Sequence, residues 1–253
     1  MARLFHRLRH RMIFNKKFSK YMLYAVGEIL ILIVGILIAL QVNNWNEERQ
    51  KRILEISILK AMKSDLERDL EVWKWDINIH KEVLLSIPEV LDHLDNKLPH
   101  SDTLNYHFLK SSLVSTFSFH SGALETLKST GINILSNETL RNEIVDLYTY
   151  WFDYKDQLTK FMVSWHHFGG QRLFNTRFVE AYEFDNDSTE KGRDGGMVPL
   201  DYESLFHDDQ FRYFLLTYQN VTSFSLKQYL ESVKRVKVLI AEIDAEIQKL
   251  ESW

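Results

Sequence analysis

The chain of 253 residues contains no cysteine, only three prolines and only nine glycines. The lack of cysteine excludes disulfide bonds and thiolate metal sites. Because glycine and proline are the residues that interrupt helices most strongly, their scarcity favours long helices. Acidic residues are also absent from the first 27 positions, although the whole chain has a net charge of −4. This distribution divides the sequence into a basic start and an acidic remainder.

One long apolar run follows the basic start, from Tyr21 to Val42, and its single charged residue is Glu28. As a helix, this run would be roughly 33 Å long, which is enough to cross a bilayer. We therefore predict a basic tail over residues 1–20, a transmembrane helix over 21–43 and a helical body over 44–253. The lipid bilayer is the first partner that this pattern implies.

The charges that flank the run predict its orientation. The tail contains seven basic residues, namely Arg3, Arg7, Arg9, Arg11, Lys16, Lys17 and Lys20. Because basic flanks stay on the cytoplasmic side of a membrane, we expect a cytoplasmic N-terminus and an extracytoplasmic body. A cleaved signal peptide is the main alternative, but the run does not end in a small-x-small cleavage site. A mitochondrial presequence is a second alternative, and its serine-rich composition is missing here.

The charge of the body limits its partners. Removing the seven positive charges of the tail from a net charge of −4 leaves −11 on the rest of the chain. An acidic body argues against nucleic acid as a partner.

Apolar periodicity predicts an all-α body, a helical bundle with long antiparallel helices. Apolar residues recur from Asn44 to Ile87 in alternating three- and four-residue steps, and Pro88 is expected to end or kink that helix. The most regular seam lies in the last stretch, at Tyr229, Val233, Val236, Ile240, Ile243, Ile247 and Leu250. We expect the two seams to pack against each other within one chain, and a homo-oligomeric coiled coil is the alternative.

Shorter helices are expected between these two. Residues suited to cap or end them are Ser101 or Asp102, Ser121, Gly131, and Ser136 or Asn137. The helix that follows Asn137 is expected to reach Phe168, where Gly169-Gly170 breaks it. A further helix is expected over 173–182, and the polar, glycine-rich segment 183–199 is expected to be a mobile loop.

Two stretches of the sequence resemble a known bacterial family. The apolar run contains Gly27-Glu28-Ile29 and leaves the membrane as Ala-Leu-Gln-Val-Asn-Asn-Trp over residues 39–45. Together with Leu124-x-x-Leu-Lys-Ser-Thr-Gly131 and Leu140-Arg-Asn-Glu-Ile144, these elements resemble a domain-of-unknown-function family of single-span membrane proteins. The resemblance implies an inner-membrane protein with a helical periplasmic part, and it implies no activity.

Glu28 is the most unusual residue of the run. An ionisable side chain inside a membrane span usually faces protein or a water path. Glu28, Leu32, Gly35 and Ala39 share one helix face, and the small residues at 35 and 39 allow another helix to approach closely. We predict that this face contacts a membrane protein or a second copy of the chain. The alternative is that Glu28 extends to the cytoplasmic interface or is protonated.

The sequence predicts no cofactor and no metal. Side chains of adjacent residues point about 100° apart on a helix, so His166-His167 is a poor pair of ligands for one metal. The stretch Asp185-x-Asp187-x-Thr189 begins like a calcium loop, but Glu190 stands where the loop needs glycine.

These observations predict a membrane-anchored, non-catalytic scaffold or interaction protein of the cell envelope. The first alternative is a ligand-sensing helical bundle that signals through a partner protein, because a tail of 20 residues is too short to be a domain. The second alternative is an envelope enzyme that uses His120, His166 or His167 as acid or base, although none has a fixed spacing to a carboxylate or nucleophile.

Overall fold

The computed structural model describes residues 16–181 and 196–252. In these ranges the protein is all-α, as predicted, apart from one short sheet that was not predicted. The helices are α1 (Lys16–Asp95), α2 (Asp102–Ser111), α3 (Gly122–Thr130), α4 (Glu138–Asp146), α5 (Asp153–Trp165), α6 (Gln171–Arg177) and α7 (Asp209–Glu251). Short 3-10 turns lie at Ile132–Ile134 and Glu203–His207.

The chain divides into two compact units, residues 1–54 and residues 55–253. In the first unit, α1 exposes an apolar surface, and Ile31 and Leu37, for example, are more than half exposed. The most apolar 18-residue stretch of this helix has a mean hydropathy of 2.7, and none of it is buried. Among the described residues, α1 is the one helix long and apolar enough to cross a membrane.

Three helix starts have side-chain caps, and the predicted starts at Ser101 and Asn137 are confirmed. The side chains of Ser101, Asn137 and Asp208 accept hydrogen bonds from backbone N–H groups in the first turns of α2, α4 and α7. Gly131 follows the end of α3 with a φ of +101°, a backbone conformation that favours glycine. Capping depends on residues within one turn, so it is visible in the sequence.

Pro88 lies inside α1, so it does not end the helix, and the alternative of a kink at Pro88 stays a prediction. The segment after Pro88 is the last part of α1. Proline removes one backbone hydrogen bond from a helix. Ile87 and Val90 on either side of Pro88 are completely buried, and their packing offsets that loss.

Gly169 and Gly170 do not break the helix that contains them. Helical structure continues from α4 through α6, because α4, α5 and α6 are joined by π-helical segments at Leu147–Phe152 and His166–Gly170. Gly170 is buried, and a Cβ atom there would lie 2.5 Å from the ring of Phe214. This glycine is therefore required for the close approach of an aromatic ring from α7.

The expectation of a helix over 173–182 is only half right. Helix α6 ends at Arg177, and strand β1 (Phe178–Ala181) follows it. Strand β1 pairs antiparallel with β2 (Gly196–Pro199), so the end of the expected loop is a strand. The rest of that loop, with the calcium-like stretch at 185–189, lies outside the described residues.

The antiparallel packing of the two long seams is confirmed within the chain. Three polar contacts between α1 and α7 join Lys60 to Glu251 at 2.7 Å, Lys63 to Asp244 at 2.7 Å and His80 to Ser225 at 2.9 Å. Residue numbers fall along α7 as they rise along α1, so the two helices run in opposite directions.

The core of the second unit consists of two hydrophobic clusters. The first cluster includes Leu66 and Trp73 of α1 and Val236 and Ile243 of α7. The second cluster includes Val83, Ile87, Phe108, Phe211 and Leu215. Buried polar side chains of α1 and α7 lie between the two clusters. These polar side chains define the candidate site.

Candidate functional site

A group of buried polar side chains crosses the interior of the body between the two clusters. We call it the polar layer, and its members are Asp76 and His80 of α1, Ser115 of the segment between α2 and α3, Lys155 of α5, and Ser225 and Tyr229 of α7. Each is less than 9% exposed. Burying ionisable groups is unfavourable unless they are paired, so the contacts of each member matter.

His80 is well satisfied by its neighbours. Its Nδ1–H donates to the backbone carbonyl of Asp76 at 2.8 Å, because a carbonyl can only accept. Its Nε2 then accepts from the hydroxyl of Ser225 at 2.9 Å. Burial lowers the pKa of His80 below its usual value of 6.5. His80 is therefore a neutral ring that joins α1 to α7.

Asp76 is buried with little compensation. The hydroxyl of Tyr229 donates one long hydrogen bond of 3.4 Å to Oδ2 of Asp76. Burial raises the pKa of Asp76 to about 6, and the Tyr229 contact offsets only part of this effect. The pKa of Tyr229 is raised in turn by its own burial and by the neighbouring carboxylate.

Lys155 is the least expected member, because only 3% of it is exposed. Its Nζ donates to the backbone carbonyl of Gln228 and lies 5.5 Å from the ring centres of both Phe117 and Tyr229. Burial lowers the pKa of Lys155 to about 7; nearby Glu231 opposes this effect. Within the described ranges, no carboxylate forms an ion pair with this amine.

Two polar side-chain atoms of α7 also lack partners in the part of the chain that the structure describes. The side-chain Oε1 of Gln228 and the hydroxyl of Ser232 are buried and have no hydrogen-bond partner among the described residues. Buried polar atoms without partners are rare in folded proteins. The stretch of α7 whose backbone accepts from Lys155 therefore also contains buried side chains that are not fully hydrogen-bonded.

A second polar cluster fixes the segment that leads into α3. Oδ2 of Asp65 accepts from the backbone N–H of Ala123 at 2.9 Å. Oδ1 of Asp69 accepts from the backbone N–H of His120 at 2.9 Å and lies 2.6 Å from Nδ1 of that ring. Asp65 thus satisfies a donor that the start of α3 leaves free, and Asp69 fixes His120 shortly before that start.

The three histidines named from the sequence have different surroundings. His120 contacts Asp69, so the structure provides the carboxylate that the sequence spacing did not reveal. His166 is buried against the ring of Tyr218 at 4.9 Å, and burial lowers its pKa to about 4. His167 is exposed. The structure does not bring the three together into one site.

The described residues contain no group of three or more His, Cys, Asp or Glu side chains positioned to bind a metal ion. The predicted calcium-like stretch lies outside them.

The predicted contact residues of the apolar run share one face of α1. Glu28, Leu32, Gly35 and Ala39 are all exposed. A Cβ atom added at Gly35 meets no atom of the described residues within 4 Å. The surface at Gly35 is therefore open to a second molecule, and the predicted contact stays a prediction.

Comparison with known proteins identifies the family and no close relative. No curated protein and no solved structure matches the chain. A family model described as a family of unknown function, DUF6090, matches residues 28–176. This match begins at Glu28 and includes Asp76, His80 and Lys155, whereas Ser225 and Tyr229 lie beyond it. Since the match covers more than half of the sequence, the chain belongs to the family of unknown function DUF6090.

Proposed function

We propose that this chain is a single-span, membrane-anchored interaction protein of the bacterial envelope that has no catalytic role. The observation that carries the proposal is the apolar stretch of α1, of which no part is buried within the chain. Leaving so many large apolar side chains in water is unfavourable, at roughly 25 cal/mol for each Å² of apolar surface. A lipid bilayer is the environment that removes this penalty.

The charge pattern supports a cytoplasmic tail and a body on the other side of the membrane. All seven charged residues before Tyr21 are basic, whereas the body is acidic. Basic flanks are retained in the cytoplasm. A reporter that is active only outside the cytoplasm, fused after Trp253, should therefore be active. Activity only of a cytoplasmic reporter at the same position would contradict this orientation.

The face of α1 that contains Glu28 and Gly35 is the proposed contact with another membrane helix. A glutamate in the hydrocarbon region is costly unless protein or water surrounds it. Gly35 and Ala39 allow a neighbouring backbone to come close enough to pack and to provide hydrogen bonds. The partner is either a different membrane protein or a second copy of this chain.

Affinity purification of the tagged full-length chain in mild detergent, followed by mass spectrometry, tests the proposal. We expect a stoichiometric membrane partner, or a dimer, that Gly35→Leu releases. Since none of the described residues lies within 4 Å of a Cβ at Gly35, this substitution should leave the fold of the described part undisturbed. Leu37→Phe adds volume on the opposite face of the helix and is the matched control. Recovery of a monomer alone, in both variants and the parent, would contradict the proposal.

A second candidate function is a sensor, and the polar layer favours it. Asp76 and Lys155 are buried groups whose pKa values lie near 6 and 7. Buried groups that titrate near neutral pH are common at functional sites. Such a sensor would transmit its signal through a partner protein.

A further inference from the structure

We propose that the polar layer is a proton-linked joint, in which proton uptake and release at Lys155 and Asp76 change how tightly α5 packs against α7. The proposal concerns the body alone and holds whichever partner the apolar helix binds. It rests on three features: the burial of both groups, the absence of a compensating charge in the described contacts, and the shared neighbour Tyr229.

Both groups act on the same side chain of α7. Asp76 accepts a hydrogen bond from the hydroxyl of Tyr229, and the Nζ of Lys155 lies 5.5 Å from the centre of the same ring. Tyr229 belongs to the seam that packs α7 against the first cluster. A change of charge on either group therefore alters the contacts of Tyr229, one of the residues through which α7 packs.

The other titratable and charged groups near Lys155 do not neutralise it. From α1 the layer receives Asp76 and the neutral His80. From α7 it receives Glu231 and Arg235, which pair with each other at 3.1 Å and so largely cancel. The segment between α2 and α3 contributes Ser115 and Phe117 to the layer, and neither is charged. The charge of the layer is thus decided by Asp76 and Lys155.

These two groups create three charge states. Burial holds the pKa of Lys155 at about 7 and that of Asp76 at about 6. Above pH 7 the carboxylate is charged and the amine is neutral. Between pH 6 and 7 both are charged, and below pH 6 only the ammonium is. In a medium of low dielectric constant, each of these changes is energetically significant.

Protonation of Lys155 also changes its hydrogen bonding. An ammonium group has three N–H donors, and the amine has one acceptor, the Gln228 carbonyl. Within the described contacts, the buried ammonium therefore lacks acceptors for its other two N–H donors. Water can satisfy these donors once the contact between α5 and α7 opens, so the charged form favours opening.

Hydrogen exchange of the full-length protein in detergent, read by mass spectrometry and corrected for intrinsic rates, tests the joint. We expect amides of α5 and of residues 225–236 to be about tenfold less protected at pH 6.5 than at pH 8.5, because opening relieves the buried charge. Lys155→Met should abolish this difference. Lys160→Met removes an exposed lysine of the same helix and should keep it.

The outcomes are separable. A flat profile in the parent chain, or the same tenfold difference in Lys155→Met, would overturn the proposal. Should Lys155→Met fail to fold, Asp76→Asn provides the second test, because it removes the change in protection expected between pH 6.5 and 5. An unchanged profile in Asp76→Asn would then contradict the joint. Loss of the membrane partner in Gly35→Leu affects neither result.

Discussion

Replacing Lys155 with methionine should make the protein more stable near neutral pH. Methionine has a similar length and flexibility but no charge. Burial lowers the pKa of Lys155 from 10.5 to about 7. Each tenfold change in proton affinity corresponds to about 1.4 kcal/mol, so the buried ammonium costs at most ~5 kcal/mol.

The expected gain is smaller than this limit. Methionine gives up the hydrogen bond to the Gln228 carbonyl, and a hydrogen bond from a charged donor contributes about 1.5–3 kcal/mol. We therefore expect Lys155→Met to raise the free energy of unfolding by roughly 2–3 kcal/mol at pH 6.5.

The pH dependence distinguishes this cause from better packing. A lysine whose folded pKa is depressed carries its full penalty below pH 7, and the penalty disappears as the pH rises towards 10.5. The advantage of Lys155→Met should therefore shrink steadily from pH 7 to pH 10.

Denaturant unfolding of the full-length chain in detergent at pH 6.5 and at pH 10, followed by tryptophan fluorescence, measures the stability advantage of Lys155→Met. An equal advantage at both, or a loss of stability at pH 6.5, would refute the reasoning, and Lys160→Met should change little at either pH.

Three further substitutions test other parts of the body. Asp76→Asn should raise the free energy of unfolding by roughly 2 kcal/mol at pH 8, because burial raises the pKa of Asp76 to about 6 and the cost of its buried charge is complete above that pH. At pH 4 the carboxyl is protonated in the folded protein, so the same substitution should change the free energy of unfolding very little. Gly170→Ala places a Cβ 2.5 Å from the ring of Phe214 and should cost about 2 kcal/mol in thermal unfolding, whereas Gly169→Ala, which meets nothing, should not. Asp65→Ala removes the acceptor for a backbone N–H at the start of α3, and we expect a loss of ~1–2 kcal/mol and faster hydrogen exchange in α3.

The features that the sequence predicted well are those set by nearby residues. The caps at Ser101 and Asn137 act within one turn, and the seam that ends at Leu250 repeats every three or four residues, so both are visible without a partner. The antiparallel packing of α1 and α7 was also predictable, because each of the two apolar seams can be buried against the other in the same chain.

The features that sequence analysis missed depend on distant residues. Pro88 stays helical because the residues around it are buried, and Gly170 stays helical because a ring from α7 lies against it. The strand pair also required residues on either side of the segment 182–195. In each case, packing outweighs a local preference.

The polar layer was partly visible in the sequence. Tyr229 belongs to the C-terminal seam and His80 fills a slot of the seam in α1, so both positions face the core. Lys155 follows Trp151 by four residues, the step at which an apolar residue is expected. A lysine at such a position is a signal that periodicity alone can detect. Its neighbours come from other elements, so the sequence did not predict its contacts.

Glu28, Lys155 and Asp76 share one physical property. Each is an ionisable residue at a position where an apolar side chain would be more favourable. Glu28 would have this property in a bilayer, and Lys155 and Asp76 have it in the core of the body. Stability alone does not explain such residues, because hydrophobic replacements of similar size are often neutral or stabilising. Positions that break local rules in this way are expected at functional sites. The polar layer and the face of α1 at Glu28 are therefore where substitutions should separate function from folding.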